Sequence, residues 1–182
     1  MPVRHLSRVN AGARGRAGAL TQGLAYADAA SYPRPMAGPI PYLSFDGTAR
    51  DALEHYREVF GGDVVLHTYA EFGRDDGPEG HIAHGALQGP VDVFASDAAP
   101  GEATLELRGI LFSLLGASDP ATLERWFAAL AETGEVIDAL ALKPWGDHDG
   151  QVRDRFGVTR LIGYQGSRTL DDDRSAHSVT RH

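Results

Sequence analysis

The sequence predicts an α+β fold built from two copies of one strand–helix–three-strand unit. Three observations predict it. Two amphipathic helical patterns, Ala49–Phe60 and Pro120–Leu130, lie about 70 residues apart. A short strand-like stretch precedes each of them, and three more strand signals follow each. A glycine closes both helices. An internal repeat constrains a fold more than any single element does.

Each element has its own sequence reason. Pro41-Tyr-Leu-Ser-Phe45 alternates as a strand does. Ala49, Ala52, Leu53, Tyr56, Val59 and Phe60 then recur at helical spacing and make one apolar face. Thr48 is placed to cap this helix, with Asp51 three residues on as a weak capping box, and Gly61-Gly62 ends it. Strand signals follow at Val64–Ala70, His81–Leu87 and Val91–Ser96, with a turn at Gly89-Pro90. In the second copy Leu111-Phe-Ser-Leu-Leu115 is the leading strand. Asp119 caps the helix and Pro120 takes its first position. Leu123, Trp126, Phe127 and Leu130 form the apolar face, and Gly134 closes it. The last strands are read at Glu135–Leu142, Gln151–Asp154 and Val158–Tyr164, with the turn at Phe156-Gly157.

The chain has 182 residues, no cysteine and a formal charge of −8. That length suits one domain. The lack of cysteine excludes disulfides, thiolate zinc sites and a cysteine nucleophile. The net charge argues against a phosphate-tracking nucleic-acid binder, and no apolar run is long enough for a helical membrane span. We expect a cytoplasmic protein.

Charge is uneven along the chain. Residues 1–38 hold five arginines and one acid, Asp28, and the rest carries −12. This first segment has no sustained apolar periodicity and no unbroken apolar stretch of the kind a secretory signal needs. We read it as a disordered extension, or as a start codon assigned upstream of the native one, with Met36 the expected start. Residues 39–165 form the folded domain, with units at about 39–98 and 104–165. Residues 166–182 read as a polar tail.

The core segments Pro41-Tyr-Leu-Ser-Phe-Asp-Gly47, Ala52-Leu-Glu-His-Tyr-Arg-Glu-Val-Phe-Gly-Gly62, Phe94-Ala-Ser-Asp-Ala98 and Trp145-Gly-Asp…Asp154-Arg-Phe-Gly-Val158 carry a resemblance. They are similar to the PhnB-like branch of the vicinal oxygen chelate superfamily. That superfamily includes glyoxalase I, extradiol dioxygenases and the bleomycin- and fosfomycin-resistance proteins. The resemblance implies paired βαβββ units whose mixed sheet curls around a central cavity, often completed in a homodimer. Some members carry a label as demethylubiquinone methyltransferases. The only glycine cluster of note, Gly12 to Gly18, has no strand before it, so no nucleoside-cofactor turn is in evidence.

The resemblance also implies where a divalent metal would sit in the superfamily's enzymes. Aligned through the helices, those positions fall at Pro41, Leu111, Phe94 and Leu161, and none of these side chains binds a metal. We therefore expect no metal and no other cofactor. His81-Ile-Ala-His84 is a tempting alternative, but residues three apart on a strand face opposite ways. His67, Glu71, Glu79 and His148 lie on or near loops and could join His84.

The candidate ligand-binding residues are Trp145, His84, Tyr69, Phe94, Leu43, Phe45, Asp147 and Leu161. Leu43, Phe45, Phe94 and Leu161 would line an apolar cavity if the alignment holds. PhnB-like proteins usually carry a histidine at the position of His84, which points to a cavity role. The Pro144–Gly150 loop supports two readings. Trp145 is either a cavity lip, with Asp147 or His148 as polar contact, or a packing anchor over the end of the sheet. Asp154 and Asp97 read as turn carboxylates. The leading functional expectation is metal-free binding of a small aromatic or hydrophobic molecule in a homodimer. The alternatives are a divergent metal-dependent lyase, isomerase or dioxygenase, an acid–base enzyme using His84, Asp147 and Tyr69, and an interaction protein with no ligand. No catalytic residue is assigned.

Overall fold

The computed structural model describes residues 39–166. The expectations for residues 1–38 and for nearly all of the tail lie outside the described residues. The elements are β1 (Tyr42–Phe45), α1 (Ala49–Phe60), β2 (Asp63–Thr68), β3 (Ile82–Gln88), β4 (Val93–Asp97), β5 (Phe112–Leu115), α2 (Pro120–Thr133), β6 (Glu135–Leu142), β7 (His148–Arg153) and β8 (Thr159–Tyr164). This is the expected order of two βαβββ units. Each unit forms its own four-stranded sheet, β1-β4-β3-β2 and β5-β8-β7-β6. In each, the leading strand lies parallel to the last strand, and the other pairs are antiparallel. The α+β fold of paired βαβββ units is the one expected, and each unit contributes an open mixed sheet of four strands.

The helices explain why the sheets stay separate. Leu53, Tyr56, Val59 and Phe60 of α1 and Leu123, Trp126, Phe127 and Leu130 of α2 are all buried in one apolar cluster. The Trp126 ring meets Phe60 edge-on, with centroids 5.2 Å apart. Each such large side chain contributes about 1.5–3 kcal/mol by leaving water. Each sheet turns one face to this shared core and leaves the other outside.

The helix ends partly follow the sequence reading. Asp119 accepts a bond from the Thr122 amide at 3.0 Å, with Pro120 at the first helical position. Thr48 occupies the cap position of α1 but makes no side-chain capping bond. The carboxylate of Asp97, from the end of β4, takes over by accepting the Ala49 amide at 2.9 Å. Its second oxygen accepts the Ile82 amide at 2.7 Å. Asp97 thus does more than finish a turn, because it ties β4 to α1 and β3. Gly62 has a φ of 100° and lies so close to β3 that a Cβ would sit 2.4 Å from the Gln88 carbonyl oxygen. Only glycine fits there.

The two units are also locked by the β7–β8 turn. The carboxylate of Asp154 accepts the Phe156 amide at 2.9 Å and the Val158 amide at 3.0 Å, as a turn residue should. It also accepts the Tyr56 hydroxyl of α1 at 2.7 Å and pairs with the buried Arg160 guanidinium. That guanidinium lies over the Tyr56 ring, 4.6 Å from its centroid. Burial pushes the Tyr56 hydroxyl far above its ordinary pKa, so it stays a donor.

Candidate functional site

Strand alternation and the inter-strand register decide which side chains reach the outer face of the first sheet. Leu43 pairs with Ala95 and Phe45 with Asp97, and all four are buried toward α1. Leu43 and Phe45 are therefore core residues, not cavity lining as expected. Their neighbours face the other way. Tyr42 pairs with Phe94, Ser44 pairs with Ser96, and His67 on β2 pairs with His84 on β3.

These side chains make a connected aromatic surface. The Tyr42 hydroxyl lies 3.1 Å from His84 Nδ1. The Tyr42, His84 and Phe94 rings have centroids 5.6 to 6.2 Å apart and are mutually tilted. His67 stacks on Phe72 at 5.3 Å. Of the expected site residues, the structure brings His84 and Phe94 together. Tyr42, Phe72 and Ser96 are additions that the sequence reading did not include. Tyr42 is legible as the polar-capped neighbour of Leu43 in an alternating strand, but the sequence does not say which side a helix covers.

Burial governs the electrostatics of this face. It pulls the His84 pKa below the ordinary histidine value, and His67 opposite adds to the effect. Burial pushes the Tyr42 hydroxyl up, against smaller opposing effects of the Ser96 hydroxyl and of Arg74. At neutral pH both groups are uncharged. Tyr42, Ser44, His67, His84, Phe94 and Ser96 include no carboxylate, lysine or arginine.

The remaining expected residues lie elsewhere. Tyr69 is fully buried, and its hydroxyl donates to the Asp97 carbonyl at 2.8 Å. It is a structural residue. Asp147 sits in the β6–β7 turn, where its carboxylate accepts the Gly166 amide at 3.3 Å. His84, Tyr69 and Asp147 do not converge, so the acid–base trio has no common site. His148 stacks on Tyr164 at 4.8 Å.

The second sheet offers a different outer face. Leu161 pairs with Ser113 and Gln151 there, and Leu115 and Asp149 flank Gly163. Trp145 rises from the β6–β7 turn with 67% of its surface exposed, so it is not an anchor packed within this chain. Its indole N–H donates to Asp149 at 3.2 Å, which holds the exposed ring in place. Ile110, Leu111, Leu115, Val136, Ile137 and Leu142 of this unit are exposed as well.

The donor chemistry decides whether the superfamily's divalent metal fits. On the leading and last strands, the outer faces carry Tyr42, Ser44, Phe94 and Ser96 in one sheet and Ser113, Leu115, Leu161 and Gly163 in the other. None is a histidine or a carboxylate. Among the described residues, no three His, Asp or Glu side chains are grouped to hold a metal ion. These residues do not fit the metal. No helix among the described residues is long and apolar enough to cross a membrane.

Comparisons with known proteins agree with this architecture. The profile of the Glyoxalase/Bleomycin resistance protein/Dioxygenase superfamily matches residues 40–160. Protein YjdN of Escherichia coli (strain K12) is 29% identical over 137 residues, 67% of this chain and 91% of its own length. The crystal structure of protein PA1353 from Pseudomonas aeruginosa is 31% identical. It covers 72% of this chain and all of its own, with a TM-score of 0.60. A PhnB protein of Bacillus cereus has the same TM-score of 0.60 at 19% identity, covering 70% of this chain and 99% of its own. At that identity it speaks for the fold alone. The profile match spans most of the chain and both repeats, and the chain belongs to the Glyoxalase/Bleomycin resistance protein/Dioxygenase superfamily.

Proposed function

We propose that this protein binds a small aromatic or hydrophobic molecule, without a catalytic metal, against the outer face of its first sheet. The observation that carries this reading is the Tyr42–His84–Phe94 surface, with His67 and Phe72 beside it. Aromatic walls with a few polar groups are the usual lining of small-molecule sites. Fold does not fix function, so the reading rests on this surface and not on membership of the superfamily.

One open sheet cannot enclose a ligand. We propose that a second copy of the chain covers it, giving a homodimer. Support comes from the exposed apolar side chains of the second unit, Leu115, Val136, Ile137, Leu142 and Trp145. A patch of this kind marks an interaction surface. In this reading the protein works in the cytoplasm, contacts neither nucleic acid nor membrane, and uses no cofactor.

Thermal-shift measurements on protein purified without chelator test the binding. A ligand that binds only the native state stabilises it by RT ln(1 + [L]/Kd) and so raises its melting temperature. Planar aromatics should give shifts of several degrees that Tyr42→Ala removes. Divalent ions should give none. A tightly bound stoichiometric metal found by elemental analysis would overturn the reading and favour a divergent metalloenzyme.

A further inference from the structure

The β6–β7 turn and the outer face of the second sheet hold an aromatic ring and a carboxylate that the first-sheet surface does not use. We propose that Trp145 and Asp149 form a second recognition site, complete within one chain, for small quaternary ammonium ions.

The turn fixes the ring. The Lys143 amide donates to the Asp147 carbonyl at 2.8 Å, and the Gly146 amide donates to the Lys143 carbonyl at 2.9 Å. Gly146 takes the left-handed position of this turn, with a φ of 96°. Trp145 stands at the tip, and its indole N–H donates to Asp149 Oδ2 at 3.2 Å. One edge of the ring is thus anchored while most of its surface stays open to solvent. The Asp149 side chain is 17% exposed. Its neighbours across the strands are small, Ala141 on β6 and Gly163 on β8. A cation over an indole face is attracted by the ring's negative quadrupole. A carboxylate at the edge of the same ring adds to that attraction.

The charges of this face can be named strand by strand. Along the rows that hold Asp149, β5 and β8 contribute Ser113, Leu115, Leu161 and Gly163, none of them charged. Arg153 of β7 is paired with Glu135 of β6 at 2.8 Å, at the far end of both strands. Lys143, just after β6, bonds Asp138 at 2.7 Å and the Ala139 carbonyl at 3.2 Å, and its ammonium stays 4.0 Å from Asp149 Oδ1. Asp147 lies in the turn itself and accepts the Gly166 amide. Two carboxylates, Asp138 and Asp149, against one ammonium leave this corner net negative, which favours a cation. The state of Asp149 narrows the kind of cation. Its Oδ2 is taken by the indole N–H and its Oδ1 faces Lys143. A primary ammonium is strongly hydrated and needs acceptors to replace its water, so it is served poorly here. A quaternary ammonium has no N–H and needs only the ring face and the nearby negative charge.

Titration calorimetry on the full chain tests this with choline, ethanolamine and dimethylbutanol, the uncharged carbon analogue of choline. Choline should bind at least about fivefold tighter than the alcohol, and tighter than ethanolamine. Tryptophan fluorescence locates the event, because the chain's other tryptophan, Trp126, is 1% exposed in the core. Choline should therefore change the emission of Trp145. Asp149→Asn keeps an acceptor for the indole N–H and should remove most of choline's advantage over the alcohol. Lys143→Met removes the opposing cation and should tighten choline several-fold, a gain that a merely structural role would not produce. If a variant fails to fold, as near-ultraviolet dichroism would reveal, the order of the three probes on the native chain still decides. Choline binding no tighter than the alcohol, or failing to bind, would overturn the proposal and leave the first-sheet reading standing.

Discussion

The Tyr56 hydroxyl donates to the Asp154 carboxylate at 2.7 Å, across 98 residues of chain and from one repeat to the other. The same carboxylate pairs with Arg160, whose side chain is 4% exposed while that of Asp154 is 0% exposed. A buried charge pair of this kind is unforgiving, because removing one partner strands the other. Asp154→Ala should cost about 3–5 kcal/mol. Tyr56→Phe keeps the ring beneath Arg160 and should cost about 1.5–3 kcal/mol. Urea unfolding of both variants measures the order. Equal costs would mean that the carboxylate matters to the fold only as an acceptor for Tyr56.

Acid should weaken the junction of the two repeats. His55 is buried on α1 between Tyr56 and Phe156, with ring centroids 6.0 and 5.8 Å away. Burial, then Arg155, lowers its pKa in the folded protein, while Asp154 and Glu58 pull it back and Arg160 adds to the lowering. The folded value thus lies below the unfolded one, near 6.5. Above that pH the ring is neutral in both states and costs nothing. As pH falls below it, the unfolded chain takes the proton first and stability drops until the folded pKa is passed. His84 has the same sign. Urea midpoints measured between about pH 7.5 and 5 should fall, and His55→Phe should flatten the curve. An unchanged slope in that variant would remove His55 from the account.

Two adjacent glycines should respond differently to alanine. Gly61 has a φ of 79°, and a Cβ added there would meet nothing within 4 Å, whereas at Gly62 that atom would meet the Gln88 carbonyl. Gly61→Ala should incur only the backbone penalty of a region that glycine alone adopts readily, φ 79° with ψ −176°, about 1–3 kcal/mol. Gly62→Ala carries that penalty and a backbone clash, so it should be worse by at least about 1 kcal/mol. Thermal unfolding of the two variants side by side checks the difference.

The apolar surface of the second unit should govern self-association. Leu115 is 52% exposed and Ile137 43%. Changing both to glutamate removes no core contact, so each should alter monomer stability by no more than about 0.5 kcal/mol. If a second copy covers this surface, the native chain sediments as a dimer and the double variant as a monomer. A native chain that stays monomeric at high protein concentration would end the homodimer reading.

Much of the architecture is legible in the sequence. The repeat, both helices with their apolar faces, the Asp119-Pro120 start and every strand follow from periodicity and turn chemistry, which act within a few residues. The site itself is half legible. His84 and Phe94 lie on the aromatic face, but Leu43, Phe45 and Tyr69 do not. A strand's alternation divides its residues into two faces without saying which one a helix will cover. Leu43 and Phe45 point inward because α1 packs on that side, and that leaves Tyr42 on the outer face.

The sequence by itself determined what the units are and the order of strands and helix in each. Only the tertiary structure decided what the two units do to each other. The helices share one core, the β7–β8 turn reaches α1 through Asp154, and both sheets keep an outer face. The physical reason is range. Propensity and patterning act locally, whereas the 98-residue bond between Tyr56 and Asp154 and the cross-strand meeting of Tyr42 with His84 exist only once the chain has packed.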